Sequence, residues 1–215
     1  MARDLQGAVG VLGGTFDPVH VGHLSIAQQV RRELSLEKVI LLPAGEPPHK
    51  DATRLAPAAD RLTMTELAAR NMLGLEVCGY EVERPGISYT IDTLRWLRDV
   101  LERPLVFIIG ADTLNELASW RSAKELVDEF AFAIAARPGY TAELPSALEK
   151  KIGRDLSAKL RESVVNVEPA AVSSTAVRER LASGDSVGGM VRAPVELYIH
   201  THGLYGTTKR PGGLR

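Results

Sequence analysis

A short segment near the amino terminus carries two histidines at a spacing that suits a phosphate-binding site. The segment Gly13-Gly-Thr-Phe-Asp-Pro-Val-His-Val-Gly-His23 follows a short apolar run, and its glycine pair would let the backbone turn and let a ligand approach main-chain amides. Pro18 can begin a helix, whose positive end would then point at this turn. On such a helix His20 and His23 share a face, because they are three residues apart. The segment therefore predicts a site for a polyphosphate.

Two other interpretations of the same residues, a metal site and a dinucleotide-binding turn, have less support in the sequence. A His-x-x-His pair can hold a metal ion, but no carboxylate or thiolate cluster accompanies it in the sequence, so we predict no protein-bound metal. The segment also differs from the Gly-x-Gly-x-x-Gly fingerprint of dinucleotide-binding proteins, which removes the main support for a dehydrogenase.

A second phosphate-binding segment lies near the carboxyl terminus. Ser173-Ser-Thr-Ala-Val-Arg178 precedes a helical pattern that ends at Gly184. Serine and threonine cap helices and leave backbone N–H groups unpaired at the helix start, and Arg178 adds a permanent cation. Taken alone, the segment is better explained as a plain capped helix with a surface arginine.

Three further segments follow predicted strands and could bind an acceptor molecule. They are Ile87-Ser-Tyr-Thr-Ile-Asp-Thr-Leu94, the run from Phe107 to Trp120, and Ala136-Arg-Pro-Gly-Tyr140. Each also has a purely structural interpretation, since Thr90 can cap a helix, Trp120 can belong to the core and Arg137 can lie in a solvated turn. The loop Pro43-Ala-Gly-Glu-Pro-Pro-His-Lys50 holds three prolines and cannot be regular structure.

The elements that position these segments alternate between strands and helices. Helical stripes are predicted over about 21–34, after Pro57, and from Ile91 to Leu101. An α/β fold with a doubly wound, Rossmann-like parallel sheet and helices on both faces follows, and the segments above should meet at the carboxyl edge of that sheet. The predicted strands are Val9–Leu12, Lys38–Leu42, Leu75–Val77, Leu105–Ile109, Phe130–Ile134 and Val164–Val167.

Composition and charge limit the classes of function that this protein can have. The 215 residues suit one domain over 1–206, and the polar residues 207–215 read as a mobile tail. A formal net charge of -1 gives no general attraction to nucleic acid or lipid, and neither a transmembrane run nor a secretory signal is visible. The lone Cys78 cannot form an internal disulfide. We therefore expect a cytoplasmic protein with neither nucleic-acid nor membrane partners, and leave homo-oligomer formation open.

The first two segments together resemble the signatures of the nucleotidyltransferase superfamily, His-x-Gly-His and Ser-Ser-Thr-x-x-Arg. That resemblance implies that His20 and His23 contact the phosphates of ATP, and that Ser173, Ser174, Thr175 and Arg178 bind its β- and γ-phosphates. It also implies that the backbone from Gly13 and Gly14 through Thr15 and Phe16 binds the nucleotide.

The acceptor segments resemble those of the nicotinate-nucleotide adenylyltransferase family, in matching order from residue 9 to residue 205. By this likeness Thr90 and Trp120 line a nicotinate pocket, Gly110 and Asp112 contact ATP, and Arg137 faces the phosphate of nicotinic acid mononucleotide. Lys50 joins His20, His23 and Arg178 as a candidate stabiliser of the transition state.

The expected reaction is direct in-line transfer of AMP from ATP, with Mg²⁺ arriving on the triphosphate. Two alternatives remain open at this point. A protein of the same fold could act on another phosphorylated acceptor such as phosphopantetheine, and a nucleotide-binding regulator could retain the cleft without catalysis. The choice between the nicotinate and the nicotinamide mononucleotide also stays open.

Overall fold

Six parallel strands form the centre of the protein in a computed structural model that describes residue 5 and residues 7–46, 55–136, 143–168 and 170–208. The order across the sheet is β3-β2-β1-β4-β5-β6, so the chain reverses its direction of travel across the sheet between β3 and β4. Ligands bind at such a reversal in open α/β sheets, outside the carboxyl ends of the strands. The strands are β1 (Val9–Gly14), β2 (Lys38–Pro43), β3 (Leu75–Val77), β4 (Leu105–Gly110), β5 (Ala131–Ala136) and β6 (Val164–Asn166).

Helices cover both faces of this sheet, as predicted. Alternate residues of each strand face opposite sides, so that Val39 and Leu41 join one buried cluster while Ile40 and Leu42 join the other. The first cluster packs on α1, α2, α9 and α10, and the second on α4 to α8. The helices are α1 (Val21–Glu33), α2 (Ala58–Ala69), α3 (Tyr80–Glu83), α4 (Thr90–Leu101), α5 (Leu114–Leu117), α6 (Ala123–Glu129), α7 (Ser146–Ile152), α8 (Arg154–Arg161), α9 (Ser174–Ala182) and α10 (Ala193–His202).

Local details differ from the sequence prediction at a few positions. The glycine pair does not form the turn after β1, because Gly13 and Gly14 are its last two residues and pair with Leu42 and Pro43 of β2. Pro18 does not begin α1, which starts at Val21 with His20 as its N-cap.

Several further boundaries differ from the prediction by a single residue. Tyr89 is the N-cap of α4, so Thr90 is its first helical residue rather than its cap. Phe130 is the C-cap of α6 and not the first residue of β5, which begins at Ala131. β6 closes at Asn166, one residue earlier than predicted. Helix ends and strand ends depend on hydrogen bonds that an apolar pattern does not specify.

Some predictions fall outside the described residues. They concern Lys50 and most of its loop, Arg137, and residues 209–215 of the predicted tail. No helix of the described part of the chain is long and apolar enough to cross a lipid bilayer.

We predict that replacing Gly10 by alanine lowers the free energy of unfolding by about 1–3 kcal/mol, because the added methyl group overpacks the core. A Cβ atom on Gly10 would lie 2.8 Å from Val39, 2.9 Å from Leu36 and 3.0 Å from Ile108. Urea unfolding measures the loss. Gly13→Ala in the same strand is the control, because its Cβ atom would meet only Phe107 at an ordinary 3.4 Å or more. Equal losses in the two variants would contradict the packing argument.

Candidate active site

The loop between β1 and α1 is shaped by a buried phenylalanine. Phe16 adopts a left-handed backbone conformation with a φ of 49°, and its side chain is buried. A Cβ atom on Gly14 would lie 3.0 Å from the Phe16 ring. Gly14 is therefore needed for the close approach of this ring, and the turn itself follows at Asp17 and Pro18.

The two histidines of this loop stack on each other. Their ring centroids lie 3.7 Å apart with an interplanar angle of 21°, and the Phe16 ring meets His23 edge-on at 4.9 Å. The backbone N–H of His20 donates to Nδ1 of His23 over 3.2 Å. Because Nδ1 accepts this bond, a neutral His23 carries its proton on Nε2. The predicted pairing of the histidines on one helical face is present.

His20 is far more buried than a surface phosphate ligand would be. Only 8% of the residue is exposed, and its Nδ1 finds no hydrogen-bond partner among the described residues. A Cβ atom on Gly22 would lie 3.0 Å from the ring, so the glycine of the His-x-Gly-His motif makes room for His20. Burial lowers the pKa of His20 from 6.5 to about 4. In the unliganded site His20 is thus a neutral imidazole rather than a cation at neutral pH.

The second motif is attached to this loop by side-chain hydrogen bonds. Ser173 caps α9 by accepting from the N–H of Ala176 at 3.2 Å. Ser174 donates its hydroxyl to the carbonyl of Pro18 at 3.0 Å, and Arg178 donates Nη1 to the carbonyl of Asp17 at 2.7 Å. Segments about 160 positions apart in sequence therefore form one structure, which the capped-helix interpretation alone does not explain.

Arg178 is held by its own helix as well. Its Nη2 donates to the hydroxyl of Thr175 at 3.3 Å, and its side chain remains 35% exposed. A guanidinium that is anchored on one side and open on the other can still make contacts with a phosphate.

A buried arginine that the sequence did not reveal lies beneath the loop. Arg61 on α2 is 2% exposed and donates four hydrogen bonds, all to backbone carbonyls. The acceptors are Thr15, Ala44, Gly45 and Ala56, at 2.7 to 3.0 Å. One guanidinium thus joins the turn after β1, the turn after β2 and the approach to α2.

Asp17 is a second buried group that the motif contains but the sequence left without a role. Its Oδ1 accepts from the hydroxyl of Tyr205 at 2.8 Å and from the N–H of Ala56 at 3.1 Å. Its Oδ2 lies 3.7 Å from Nη1 of Arg178. Burial, followed by the negative charge of Asp17, raises the pKa of Tyr205. Tyr205 therefore stays protonated and remains a hydrogen-bond donor.

A cavity of about 240 Å³ opens beside the same end of β1. Six residues predicted to bind substrate line it: Gly13, Gly14, Thr15, Thr90, Gly110 and Trp120. The phosphate-binding candidates His20, His23, Phe16, Arg178 and Ser173 to Thr175 do not line it, but are grouped around the loop that follows Thr15. Asp112 does not line the cavity either; it is exposed, and its carboxylate folds back over Gly110.

Trp120 stands in the wall of this cavity and is only partly buried. Its ring centroid lies 6.1 Å from that of Phe107, at an angle of 59°. Trp120 thus has both core contacts and a face toward the cavity. The next residue, Arg121, also lines the cavity and places its guanidinium 4.4 Å from the centre of the Tyr89 ring. Of the described residues lining the cavity, Arg121 is the one lysine or arginine.

A buried carboxyl group also reaches the cavity wall. Glu81 accepts a hydrogen bond from the hydroxyl of Thr93 at 2.7 Å, and burial raises the pKa of this carboxyl. A Cβ atom on Gly45 would lie 2.1 Å from the backbone carbonyl of Glu81, so only glycine fits there. Neither Arg121 nor Glu81 was predicted, because nothing in their local sequence distinguishes them from surface charges.

The described residues contain no cluster of three or more histidine, cysteine, aspartate or glutamate side chains that could hold a metal ion. A divalent ion at this site would be held chiefly by phosphate oxygens of the nucleotide, as is usual for Mg²⁺.

We predict that His20 makes the protein less stable as the pH falls from 6.5 to about 4. Its pKa is lower in the folded state than in the unfolded chain, so the unfolded state binds more protons over this range. Up to about 3 kcal/mol of unfolding free energy would be lost. Urea unfolding at a series of pH values measures this, with His20→Asn as the comparison. Parallel curves for the two proteins would rule out a buried neutral His20.

Comparisons with known proteins agree with this geometry. Residues 11–180 match the family model described as Cytidylyltransferase-like. A probable nicotinate-nucleotide adenylyltransferase of Desulfitobacterium hafniense is 38% identical over 199 residues, covering 92% of this chain and 95% of the relative. One of Roseiflexus sp. is 39% identical over 199 residues, covering 92% and 97%.

Solved structures support the fold. The nicotinic acid mononucleotide adenylyltransferase of Plasmodium falciparum, complexed with APC, superposes with a TM-score of 0.70 at 17% sequence identity, covering 94% of this chain and 98% of that one. The complex of the same enzyme with NaAD gives a TM-score of 0.71. With a family model across most of its length and relatives near 38% identity, the chain belongs to the nicotinate-nucleotide adenylyltransferase family of cytidylyltransferase-like proteins.

Proposed function

We infer that this protein transfers the adenylyl group of ATP to nicotinic acid mononucleotide, giving nicotinic acid adenine dinucleotide and pyrophosphate for NAD synthesis. The observation that carries this inference is the meeting of two phosphate-binding motifs with an aromatic-walled cavity at the carboxyl end of β1. The names of the relatives point to the same reaction.

ATP would lie along the loop after β1, with its phosphates at the start of α1 and α9. Both helix starts present backbone N–H groups and a positive dipole end to an anion. His23 can donate from Nε2, and His20 can donate as a neutral imidazole or regain its proton beside a triphosphate. We assign Arg178, with Ser173, Ser174 and Thr175, to the β- and γ-phosphates.

The remaining nucleotide contacts follow the cavity. The backbone of Gly13, Gly14, Thr15 and Phe16 would approach the nucleotide, since the glycines leave it uncovered. Gly110 also lines the cavity and would contact the ATP side, together with Asp112. Lys50 keeps its proposed role as a stabiliser of the transition state, and Arg137 keeps its proposed role as the cation that faces the acceptor phosphate.

The acceptor would place its pyridine ring against Trp120, near Thr90. An aromatic wall that is exposed on one side suits an offset stack with a flat heterocycle. Arg121 lies beside this wall, in a lining that also holds the carboxyl groups of Glu81 and Glu116. A cation beside the ring favours the carboxylate of the nicotinate form over the uncharged carboxamide of the nicotinamide form.

The chemistry requires positioning rather than a general base. The second pKa of a phosphate monoester is about 6, so the acceptor phosphate is largely a dianion at neutral pH and needs no deprotonation. One of its oxygens forms a bond to the α-phosphorus of ATP while the bond from that phosphorus to the bridging oxygen of pyrophosphate breaks. No covalent enzyme intermediate is needed. Each well-placed donor would contribute roughly 2–4 kcal/mol, or about 30- to 1,000-fold in rate.

A divalent metal ion accompanies the nucleotide in this family. We assign it as Mg²⁺ bound with ATP, where it would partly neutralise the triphosphate and so ease the approach of a second anion. The chain's own contribution is to hold the phosphates with Arg178, His20 and His23 and to exclude water with Phe16 and Trp120.

The proposed setting is the cytoplasm, in keeping with the lone Cys78 and the absence of a spanning helix among the described residues. Homo-oligomer formation stays a prediction that size-exclusion chromatography with light scattering would test.

The decisive experiment measures pyrophosphate release from ATP and Mg²⁺ with three acceptors offered separately. We expect rapid release with nicotinic acid mononucleotide and much slower release with nicotinamide mononucleotide or phosphopantetheine. His23→Ala should remain folded and lose most of this turnover, which excludes a contaminating activity. Preference for phosphopantetheine would favour the alternative acceptor class, and ATP binding without release on any acceptor would favour a regulator.

Trp120→Ala should raise the KM for nicotinic acid mononucleotide at least tenfold while changing the KM for ATP little, because stacking involves the acceptor ring. Steady-state kinetics with each substrate varied in turn gives both constants. The control is Trp96→Ala, since Trp96 stacks on Tyr80 at 3.6 Å and does not line the cavity. If the KM values for both substrates rose equally and the variant were less stable, Trp120 would be assigned to the core instead.

A further inference from the structure

We propose that Tyr205 is a positioning residue for phosphate binding, which acts through Asp17 to fix the guanidinium of Arg178. The inference rests on the proposed function to the extent that Arg178 binds the phosphates of ATP. It concerns a residue near the carboxyl terminus, outside both phosphate-binding motifs.

Tyr205 reaches the loop from the last short turn of the described chain. It lies in a 3-10 turn, Leu204–Gly206, directly after α10, and has a left-handed backbone with a φ of 57°. The hydroxyl of Thr207 donates to the carbonyl of Leu204 at 2.8 Å, which holds the turn closed. The turn also packs on the end of α9, because a Cβ atom on Gly206 would lie 3.8 Å from Ala182. Tyr205 thus contacts the Asp17 loop from a turn that is braced against the helix carrying Arg178.

Asp17 connects this tyrosine to the phosphate site. The carboxylate is 3% exposed and receives two hydrogen bonds, from the Tyr205 hydroxyl and the Ala56 N–H, both at Oδ1. Its Oδ2 faces Arg178 at 3.7 Å, and no hydrogen bond to Oδ2 is found among the described residues. A buried carboxylate needs such donors, because burial of an unpaired charge is costly.

This arrangement determines whether Arg178 pairs with the Asp17 carboxylate or stays available to a phosphate. While Tyr205 satisfies Oδ1, the guanidinium donates to the main-chain carbonyl of Asp17 and not to its carboxylate. Without the tyrosine hydroxyl, the carboxylate would have one donor fewer. Arg178 lies 3.7 Å from the carboxylate and could replace that donor, whereas Arg61 already donates to four backbone carbonyls. Rotation of the carboxylate toward Arg178 would form a tighter ion pair and draw positive charge away from the phosphates. Tyr205 therefore keeps Arg178 available.

Tyr205→Phe tests the proposal, because it removes the hydroxyl and keeps the ring. We expect ATP binding, measured by calorimetry without any acceptor, to weaken at least about fivefold, and kcat to fall by about tenfold. The matched control is Tyr198→Phe, which removes a comparable bond from a tyrosine of α10 to Asp60 at 2.7 Å, away from the site. ATP affinity and kcat of this control should stay within about twofold of the wild type.

A double-mutant cycle separates positioning from a general structural role. If Tyr205 acts through Arg178, adding Tyr205→Phe to Arg178→Ala should cause no further loss of ATP affinity or kcat. Additive losses, equal effects of the two tyrosine variants, or unchanged ATP binding in Tyr205→Phe would each overturn the proposal. The calorimetry uses ATP alone, so its result does not depend on which acceptor the enzyme uses. If the proposed acceptor were wrong, the three-acceptor assay would show it and the calorimetric test of Tyr205 would still hold.

Discussion

The site depends on backbone carbonyls that are buried where three chain segments meet. A turn that packs its aromatic side chain inward cannot pair its own main-chain oxygens in the sheet, and each unpaired buried oxygen costs free energy. Arg61 resolves this by donating to the carbonyls of Thr15, Ala44, Gly45 and Ala56 at once. The position of the loop after β1 is therefore fixed by Arg61 of α2, and not by glycines in the loop itself.

The buried arginine also places a positive charge beneath the loop, and this charge affects the neighbouring groups of the site. Arginine stays charged even where burial lowers its pKa, as it does for Arg61. A buried positive charge therefore lies beneath the loop that we propose binds anions. Asp17 lies close enough to Arg61 to favour its charged form and also faces Arg178. One buried carboxylate is thus shared between two arginines, one structural and one open to the site. The hydroxyl of Tyr205 and the N–H of Ala56 both donate to Oδ1 of this carboxylate. In our proposal these bonds keep the charge of Arg178 available for a phosphate.

The sequence predicted the parts of this arrangement that are encoded locally. All six strands, the helices on both faces and the two phosphate motifs follow from apolar period, helix caps and short spacing, and the structure confirms their convergence at the sheet edge. Arg61 and Tyr205 could not be predicted, because each acts through contacts with residues far away in the chain. The neutral state of His20 also depends on tertiary burial. The glycine pair was misassigned because close approach and turning both require glycine.

The structure separates the chemistry that is common to nucleotidyl transfer from the choice of acceptor. The proposed phosphate site consists of the helix starts and main-chain atoms of two segments, which Ser174 and Arg178 join by hydrogen bonds. The acceptor cavity is instead lined by side chains that follow β4 or begin α4, such as Trp120, Arg121 and Thr90. Because these side chains make none of the hydrogen bonds that join the phosphate segments, substitutions among them can change the shape and charge of the cavity and leave the phosphate geometry intact. A fold arranged in this way can catalyse the same reaction on different phosphorylated acceptors. The residues that line the cavity, and not the phosphate motifs, would then determine which acceptor binds.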